Sequence, residues 1–207
     1  MQYATGDPNL GLGKLLAREG RSPNADYRWR RIGEFVKPNT QRILSHCRSN
    51  GLARIFLTYG SEVDDYSDLP PHMRTLCEQT NNRAGTREHE IIDTLKPLPG
   101  ERVLNKVTLS AFTSTPIELV LRTHGIATLL FAGVSTNVCV EHTLRDAADR
   151  GFGCVLLEDA CGADSDVMHR ASCVVVQRLY GAVMSTEEAI RRLGTNAAAT
   201  EQATHLP

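Results

Sequence analysis

The feature that most constrains the fold of this chain is a regular alternation of short apolar runs with helix-like segments from residue 38 onward. The apolar runs have the length of β-strands, and the segments between them have the length of helices. Strands that alternate with helices predict a parallel sheet with right-handed crossovers and helices on both faces. The predicted fold class is therefore α/β, with three α/β/α layers around a parallel, Rossmann-like sheet.

The runs also predict where the elements lie. The predicted strands are 53–59, 102–105, 127–132, 154–157 and 182–184, and the predicted helices are 38–51, 116–125, 138–150, 165–179 and 185–193. The strand 127–132 is apolar throughout, which is typical of a parallel strand buried on both faces. The polar stretch 60–87 predicts a long loop. Residues 1–195 are predicted to form one domain, and 196–207, rich in Ala and Thr, a disordered tail.

Composition excludes several classes of function. A length of 207 residues suits one α/β domain. The sequence contains no run of roughly 18 consecutive apolar residues, the length that a membrane helix needs. The chain has 23 basic and 24 acidic residues, so a net charge of −1 predicts neither nucleic acid nor an anionic membrane as partner. Six cysteines without a CxxC pair or a secretory signal peptide favour free thiols in a reducing cytoplasm.

Cys139 is the first candidate for chemistry, because active sites of parallel α/β sheets lie beyond the carboxyl ends of the strands. It follows a buried strand and a glycine turn, and Thr136 is a candidate N-cap, so Cys139 falls in the first turn of a helix. The helix dipole and free N–H groups there favour a nucleophilic thiolate and can stabilise an oxyanion. The alternative is a buried structural cysteine.

Lys106 is the second candidate. It ends the strand Val103-Leu104-Asn105 and therefore points toward the same sheet edge as Cys139. An ammonium group at this place would stabilise a thiolate and a developing negative charge. The alternative is a solvated lysine at a strand end, and the pair carries more weight than either residue alone.

These residues resemble the isochorismatase-like cysteine hydrolases over positions 38–193. The matching positions are Leu104-Asn105-Lys106, Ser110-Ala111-Phe112, Thr115, the run Gly133-Val134-Ser135-Thr136-Asn137-Val138-Cys139-Val140-Glu141, Thr143, Arg145-Asp146-Ala147, Gly151 and Glu158-Asp159-Ala160. The run around the cysteine is far more specific than a lone glycine motif.

The resemblance implies a six-stranded parallel sheet and a Cys–Lys–Asp triad. Cys139 would be the nucleophile and Lys106 the positively charged member. The Val134–Ser135 peptide would be cis, with the N–H groups of Ser135 and Cys139 facing the oxyanion. Phe112 and Asn137 would contact the substrate, although an aromatic residue after a strand is as often part of the core.

Within the family, the run Asn137-Val138-Cys139-Val140-Glu141 is closest to the branch that hydrolyses ureides and amides. The expected activity is cleavage of a C–N bond in a small molecule through a covalent acyl-enzyme, without an organic cofactor. Nicotinamidases carry a metal-binding Asp-x-His motif after the second strand, and the stretch 58–65 of this chain has no histidine. His72 alone in a loop does not make a metal site, so no metal is expected.

One family feature is missing from the sequence: the first apolar strand, which ends in the triad Asp and precedes Met-Gln. Met1-Gln2 fits the position directly after that strand, so we expect the natural chain to extend upstream and the 207 residues to be weak in catalysis. Asp7 precedes Pro8 and is expected to form a turn rather than to act as the base. The alternative function is a catalytically impaired, oligomeric protein that binds small molecules. The resemblance also implies a homodimer or homotetramer.

The remaining polar candidates have weaker signals. His89 lies between two glutamates and is expected to be solvated. His142 and His169 lie on predicted helices and have no partner that the sequence identifies. Trp29 sits among three arginines, and a helix face or a subunit contact is a better explanation of this short cluster than nucleic-acid binding.

Overall fold

The computed structural model of the chain describes residues 1–21 and 26–203, in a mixed α/β arrangement with parallel sheets. The strands are β1 (Ile55–Tyr59), β2 (Arg102–Lys106), β3 (Thr128–Val134), β4 (Gly153–Gly162) and β5 (Ala182–Met184). The helices are α1 (Tyr3–Gly6), α2 (Leu12–Arg18), α3 (Asp26–Arg31), α4 (Lys37–Ser49), α5 (Pro71–Gln79), α6 (Ala111–Ser114), α7 (Ile117–Thr123), α8 (Glu141–Asp149), α9 (Asp166–Val175) and α10 (Thr186–Ala203). The π-helical turns Ile32–Val36, Thr136–Val140 and Val176–Tyr180 adjoin α4, α8 and α9, and Asp93–Leu95 is a 3₁₀ turn.

The strands form two parallel sheets in the described part of the chain. β1 pairs with β2 from Ile55↔Arg102 to Tyr59↔Lys106, and β3, β4 and β5 pair in that order. The single six-stranded sheet implied by the resemblance is therefore not what the structure describes. β4 is longer than predicted because its pairing with β3 resumes at Gly133↔Cys161, beyond the acidic pair that interrupts the apolar run.

The exposure of β3 is the main difference between prediction and structure in the sheets. Its residues are half-buried, and Thr128 and Ala132 are exposed, although the apolar run predicted burial on both faces. β4 pairs with one edge of β3, and no described strand pairs with the other. A strand without a neighbour on one side leaves side chains and backbone groups uncovered, which explains the incomplete burial.

β1 also has an edge without a neighbouring strand among those described, and the Gln2 side chain bonds one residue of that edge. Its buried side chain accepts a hydrogen bond from the Tyr59 N–H at 2.9 Å and donates to the Tyr59 carbonyl at 3.0 Å. The same Nε2 donates to the His89 carbonyl at 2.8 Å. A side-chain amide thus replaces, at one residue, the ladder that a neighbouring strand would supply.

The largest apolar cluster fixes the helix that follows β3. Leu121 from α7, Leu144 from α8 and Leu156 from β4 are each at most 2% exposed. Truncating such a leucine to alanine costs about 2–5 kcal/mol of the free energy of unfolding. This packing holds α8 against β4, and the turn at the start of α8 lies against β3.

The short helices α1, α2, α3 and α6 were not predicted, and two longer helices also differ from the prediction. Residues 60–87 contain α5, where a long loop was predicted; Pro71 begins the helix, and only Met73 and Cys77 on its inner face are buried, so its apolar periodicity is short. α10 runs to Ala203, past the predicted end at residue 193, because alanine has the highest helix propensity. The rest of the predicted tail, 204–207, lies outside the described residues. In the described part of the chain, no helix is long and apolar enough to span a bilayer.

Candidate active site

The turn that carries Cys139 lies between β3 and α8. β3 ends at Val134, the Val134–Ser135 peptide bond is cis, and the π-helical turn Thr136–Val140 leads directly into α8. The Ser135 carbonyl accepts the N–H groups of Val138 at 3.1 Å and Val140 at 3.3 Å. Ser135, and not Thr136 as predicted, is thus the residue that caps the turn, and Cys139 lies in its first turn.

Lys106 reaches Cys139 from the neighbouring sheet. It is the last residue of β2 and is 3% exposed. Its Nζ lies 3.2 Å from the Cys139 Sγ and 2.9 Å from the Thr108 carbonyl, to which it donates. A buried ammonium is stable only with such acceptors, and a positive charge beside the sulfur would complement a negative charge that develops there. The structure therefore brings together the two residues that the sequence selected separately.

A cavity of about 100 Å³ opens beside this pair, between the free edges of β1 and β3. Most of its wall is apolar or hydroxyl-bearing. The lining residues are Met1, Gln2, Thr5, Leu57, Thr58, Tyr59, Lys106, Phe131, Ala132, Gly133, Val134, Cys139, Val140 and Thr143. No Asp or Glu is among the described residues that line it, so Asp7 is not placed at the wall either. Among the described residues, the cavity wall thus carries the Cys139 thiol and the Lys106 side chain but no acidic group.

The other cysteines differ from Cys139 in their surroundings. Burial raises the pKa of the Cys77 and Cys161 thiols to about 12 and of the Cys154 and Cys173 thiols to about 11, and it also raises the pKa of Cys47. Thiols with such pKa values are almost entirely protonated, and therefore slow nucleophiles, near neutral pH. Cys139 is half-buried, lines the cavity and accepts a hydrogen bond from Lys106.

We therefore expect iodoacetamide to alkylate Cys139 first, at neutral pH. The measurement is the mass-spectrometric time course of carbamidomethylation at each cysteine peptide. The matched control is Lys106→Met, which removes the ammonium and should slow alkylation of Cys139 without speeding alkylation of any of the other five cysteines. Reaction of Cys139 at the same rate as the buried thiols would contradict a nucleophilic role.

The two predicted substrate contacts lie in different surroundings. Phe112 packs in the core, with its ring centroid 5.9 Å from that of Phe152 and the Arg150 guanidinium 5.0 Å from its own centroid. It is not among the residues of the cavity wall. Asn137 is half-buried beside Cys139 along the turn and, like Phe112, is not among the residues of the cavity wall, but its Oδ1 is buried without a hydrogen-bond partner. An unpartnered buried oxygen is costly, so Asn137 is the stronger candidate for a contact with a substrate N–H group.

The four histidines considered in the sequence occupy three kinds of surroundings. His72 and His142 are exposed on α5 and α8. His89 is not simply solvated, since its Nε2 lies 2.9 Å from the Asn105 Oδ1. His169 is 3% exposed, between Arg31 Nη2 at 2.8 Å and Thr136 Oγ1 at 3.0 Å.

His169 also belongs to a group that could ligate a metal. A carboxylate oxygen of Glu158, a ring nitrogen of His169 and the Cys173 sulfur lie within 4.8 Å of one another. The Arg31 guanidinium already occupies the Nε2 lone pair of the ring. Burial, and then the charge of Arg31, lower the pKa of His169 to about 4, so the imidazole is neutral near pH 7. This neutral ring accepts from Arg31 and donates to Thr136.

Sequence reasoning missed the arginines that support the turn. Both arginines lie on α3. Arg28 contacts Ser135 directly, and Arg31 contacts His169, which in turn contacts Thr136. In the sequence they belong to the basic cluster around Trp29, which favoured a surface contact. Only the excess of arginine over lysine in that cluster hints at an internal role, because arginine is the usual residue for multidentate hydrogen bonding.

Comparison with known proteins supplies the family. A model of the isochorismatase domain matches residues 33–188. The chain belongs to the isochorismatase family. The structure of this isochorismatase-family chain is similar to a cysteine hydrolase of Pseudomonas syringae pv. phaseolicola (TM-score 0.72, 28% identity, 78% of this chain and 81% of the other). It is also similar to an N-carbamoylsarcosine amidase of Thermoplasma acidophilum (TM-score 0.63, 27% identity, 79% of this chain and 85% of the other).

Curated relatives resemble a smaller part of this family member. A ureidoacrylate amidohydrolase RutB of Methylobacterium radiotolerans is 40% identical over 98 residues, which cover 47% of this chain and 38% of the relative. A protein of the same name from Methylorubrum extorquens is 46% identical over 88 residues, covering 41% and 36%. The matched segment thus spans less than two-fifths of the curated relatives' length.

Proposed function

We propose that this isochorismatase-family chain is a cysteine amidohydrolase that cleaves a C–N bond of a small ureide or amide through a covalent acyl-enzyme. The observation that carries the proposal is the 3.2 Å contact between Lys106 Nζ and Cys139 Sγ at the cavity wall. The names of the relatives, ureidoacrylate amidohydrolase and N-carbamoylsarcosine amidase, support the choice of C–N bond.

The first chemical step is attack by the Cys139 thiolate on the substrate carbonyl. A C–S bond forms, and the carbonyl π electrons move to oxygen, where the N–H groups of Ser135 and Cys139 stabilise the oxyanion. Collapse breaks the C–N bond. The Lys106 ammonium gives its proton to the departing nitrogen, which leaves as ammonia or an amine. Cys139 then carries the acyl group, and Lys106 is neutral.

Water completes the reaction. Neutral Lys106 removes a proton from water as the oxygen attacks the thioester or thiocarbamate, and the second tetrahedral oxyanion expels the Cys139 thiolate. The acid is released, and the ammonium–thiolate pair is restored. Asn137, whose buried Oδ1 lacks a partner, would accept a substrate N–H group. The expected cytoplasmic location and the homodimeric or homotetrameric assembly stay predictions.

The test is turnover of ureidoacrylate, N-carbamoyl amino acids and simple amides, measured as ammonia released by the purified chain. Rapid acid quench and mass spectrometry of the Cys139 peptide should reveal the acyl adduct. A second candidate, an impaired protein that only binds such molecules, is favoured by the absence of a carboxylate among the described lining residues. Saturable ligand binding with neither ammonia nor an adduct would support it over the enzyme.

Metal removal should leave the activity unchanged, because Cys139 and Lys106 supply both the nucleophile and the proton donor. The measurement is the rate of ammonia release before and after exhaustive dialysis against EDTA. Added Zn²⁺ after dialysis serves as the control, and it should not stimulate. A loss of activity on dialysis that Zn²⁺ or Fe²⁺ restores would contradict the metal-free mechanism.

A further inference from the structure

Arg28 is a buried cation whose hydrogen bonds converge on the start of the Cys139 turn. It is 2% exposed. Its Nη1 donates to the Ser135 Oγ at 2.9 Å and to the Asp164 Oδ1 at 2.7 Å, and its Nη2 donates to the Thr5 carbonyl at 2.8 Å. One guanidinium thus joins the residue after β3, the loop after β4 and the first segment of the chain.

Stability alone is a poor explanation for this arginine. Its Nε is buried without an acceptor, and the side chain of its partner Asp164 is 59% exposed. Buried ion pairs are often replaced by apolar residues without loss of stability, and an unsatisfied donor adds a further cost. The rigid guanidinium fork does, however, fix the positions of the acceptors that it contacts.

The contact with Ser135 has a consequence for the proposed chemistry. Ser135 supplies one of the proposed oxyanion N–H groups, and such a donor is effective only when it is held at the place where the negative charge develops. Among the described residues, Arg28 Nη1 is the only donor to the Ser135 Oγ, so the position of that side chain depends on Arg28.

We propose that Arg28 is a positioning residue for acylation, which acts through Ser135 by fixing the oxyanion donor. This inference rests on the proposed function. It assigns to Arg28 no contact with substrate, since Arg28 is not among the residues of the cavity wall. It makes a specific distinction: reactions of Cys139 that form an oxyanion depend on Arg28, and reactions that do not form one are independent of it.

Two reagents separate these reactions on the same sulfur. With p-nitrophenyl acetate, Cys139 forms a C–S bond to the carbonyl carbon, an oxyanion appears, and the C–O bond breaks to release p-nitrophenolate. With iodoacetamide, the sulfur displaces iodide at a CH₂ group, and no oxyanion forms. The burst of p-nitrophenolate and the rate of carbamidomethylation at the Cys139 peptide therefore report the two classes without knowledge of the natural substrate.

The variants are Arg28→Met, Arg28→Lys, Ser135→Ala and the double variant Arg28→Met/Ser135→Ala. Arg28→Met should slow acylation by roughly 10- to 100-fold, the scale of a misplaced catalytic group, with alkylation within about twofold of wild type. Ser135→Ala should slow acylation to a similar degree. The double variant should be no slower than either single variant, because both changes remove the same contact.

Arg54→Met is the matched control, because Arg54 also combines an ion pair, to Glu101 at 2.9 Å, with a carbonyl contact, to Cys47 at 3.3 Å, outside the cavity wall. It should lower the thermal midpoint and leave acylation by the folded protein unchanged. Arg28→Lys and Ser135→Ala keep the test valid if Arg28→Met does not fold.

Three results would overturn the inference. If both Ser135→Ala and Arg28→Lys acylate at rates within twofold of wild type, Arg28 has no positioning role. If the Arg28 variants slow acylation and alkylation equally and also lower the thermal midpoint, Arg28 contributes only to packing. A wild-type Cys139 that neither acylates nor alkylates contradicts the proposed function itself, and the inference with it.

Discussion

Cys139→Ala is expected to abolish hydrolysis, a loss of more than about 10³-fold, because no acyl-enzyme can form without the sulfur. The fold should persist, since alanine is well accommodated in a helical first turn and Cys139 is only half-buried. Lys106 keeps the Thr108 carbonyl as an acceptor. The measurements are steady-state ammonia release and the far-ultraviolet circular dichroism spectrum.

Cys173→Ala is the control for the effect of losing a thiol. Burial raises the pKa of Cys173, and it lies on α9 outside the cavity wall, so its loss should leave turnover nearly unchanged. Residual activity of Cys139→Ala within tenfold of wild type would exclude Cys139 as the nucleophile, and the reaction would then need another group.

A strand added before Met1 is expected to produce the second large effect, a gain in both stability and activity. The structure motivates it: β1 and β3 have free edges, the cavity lies between them, and Met1 is part of its wall. An apolar extension of about six residues, the usual strand length, would pair with both edges. If it ends in Asp, a carboxylate would lie near Cys139 and Lys106 as a general base, a role that contributes about 10²–10⁴-fold.

Two fusions separate pairing from chemistry. Both carry the same apolar strand, and one ends in Asp while the other ends in Asn. Both should raise the thermal midpoint, because they cover the same edges, and only the Asp fusion should raise the rate of hydrolysis. If neither fusion changes the thermal midpoint, the gap between the sheets does not accept a strand. Equal activities of the Asp and Asn fusions would mean that the base comes from elsewhere.

Local sequence signals predicted most of the elements. β1, β2, β3 and β5 lie within two residues of their predicted bounds, since apolar runs flanked by turn residues have few other solutions. α5 escaped prediction because only two of its side chains are buried. The second half of β4 was not predicted, because the polar residues Glu158 and Asp159 interrupt the apolar run. Its pairing depends on β3 rather than on its own composition.

In the candidate site, too, some residues could be predicted from the local sequence and others could not. The selection of Cys139 and Lys106 followed from chemistry at strand ends, because parallel strands bring their carboxyl ends to one edge. The places of Phe112, in the core, and of His169, between Arg31 and Thr136, could not be inferred, because each depends on which side chains from distant segments meet.

By itself, the sequence determined the α/β class and the family and selected Cys139 and Lys106 as a candidate pair, because periodicity and the order of residues along one segment carry that information. Only the tertiary structure decided that β3 has an open edge among the described strands, that the Gln2 side chain bonds the backbone of Tyr59 in β1, and that Arg28 is buried against Ser135. The last two of these contacts join residues 57 and 107 positions apart in the chain, and such contacts arise from packing of whole elements rather than from any local pattern.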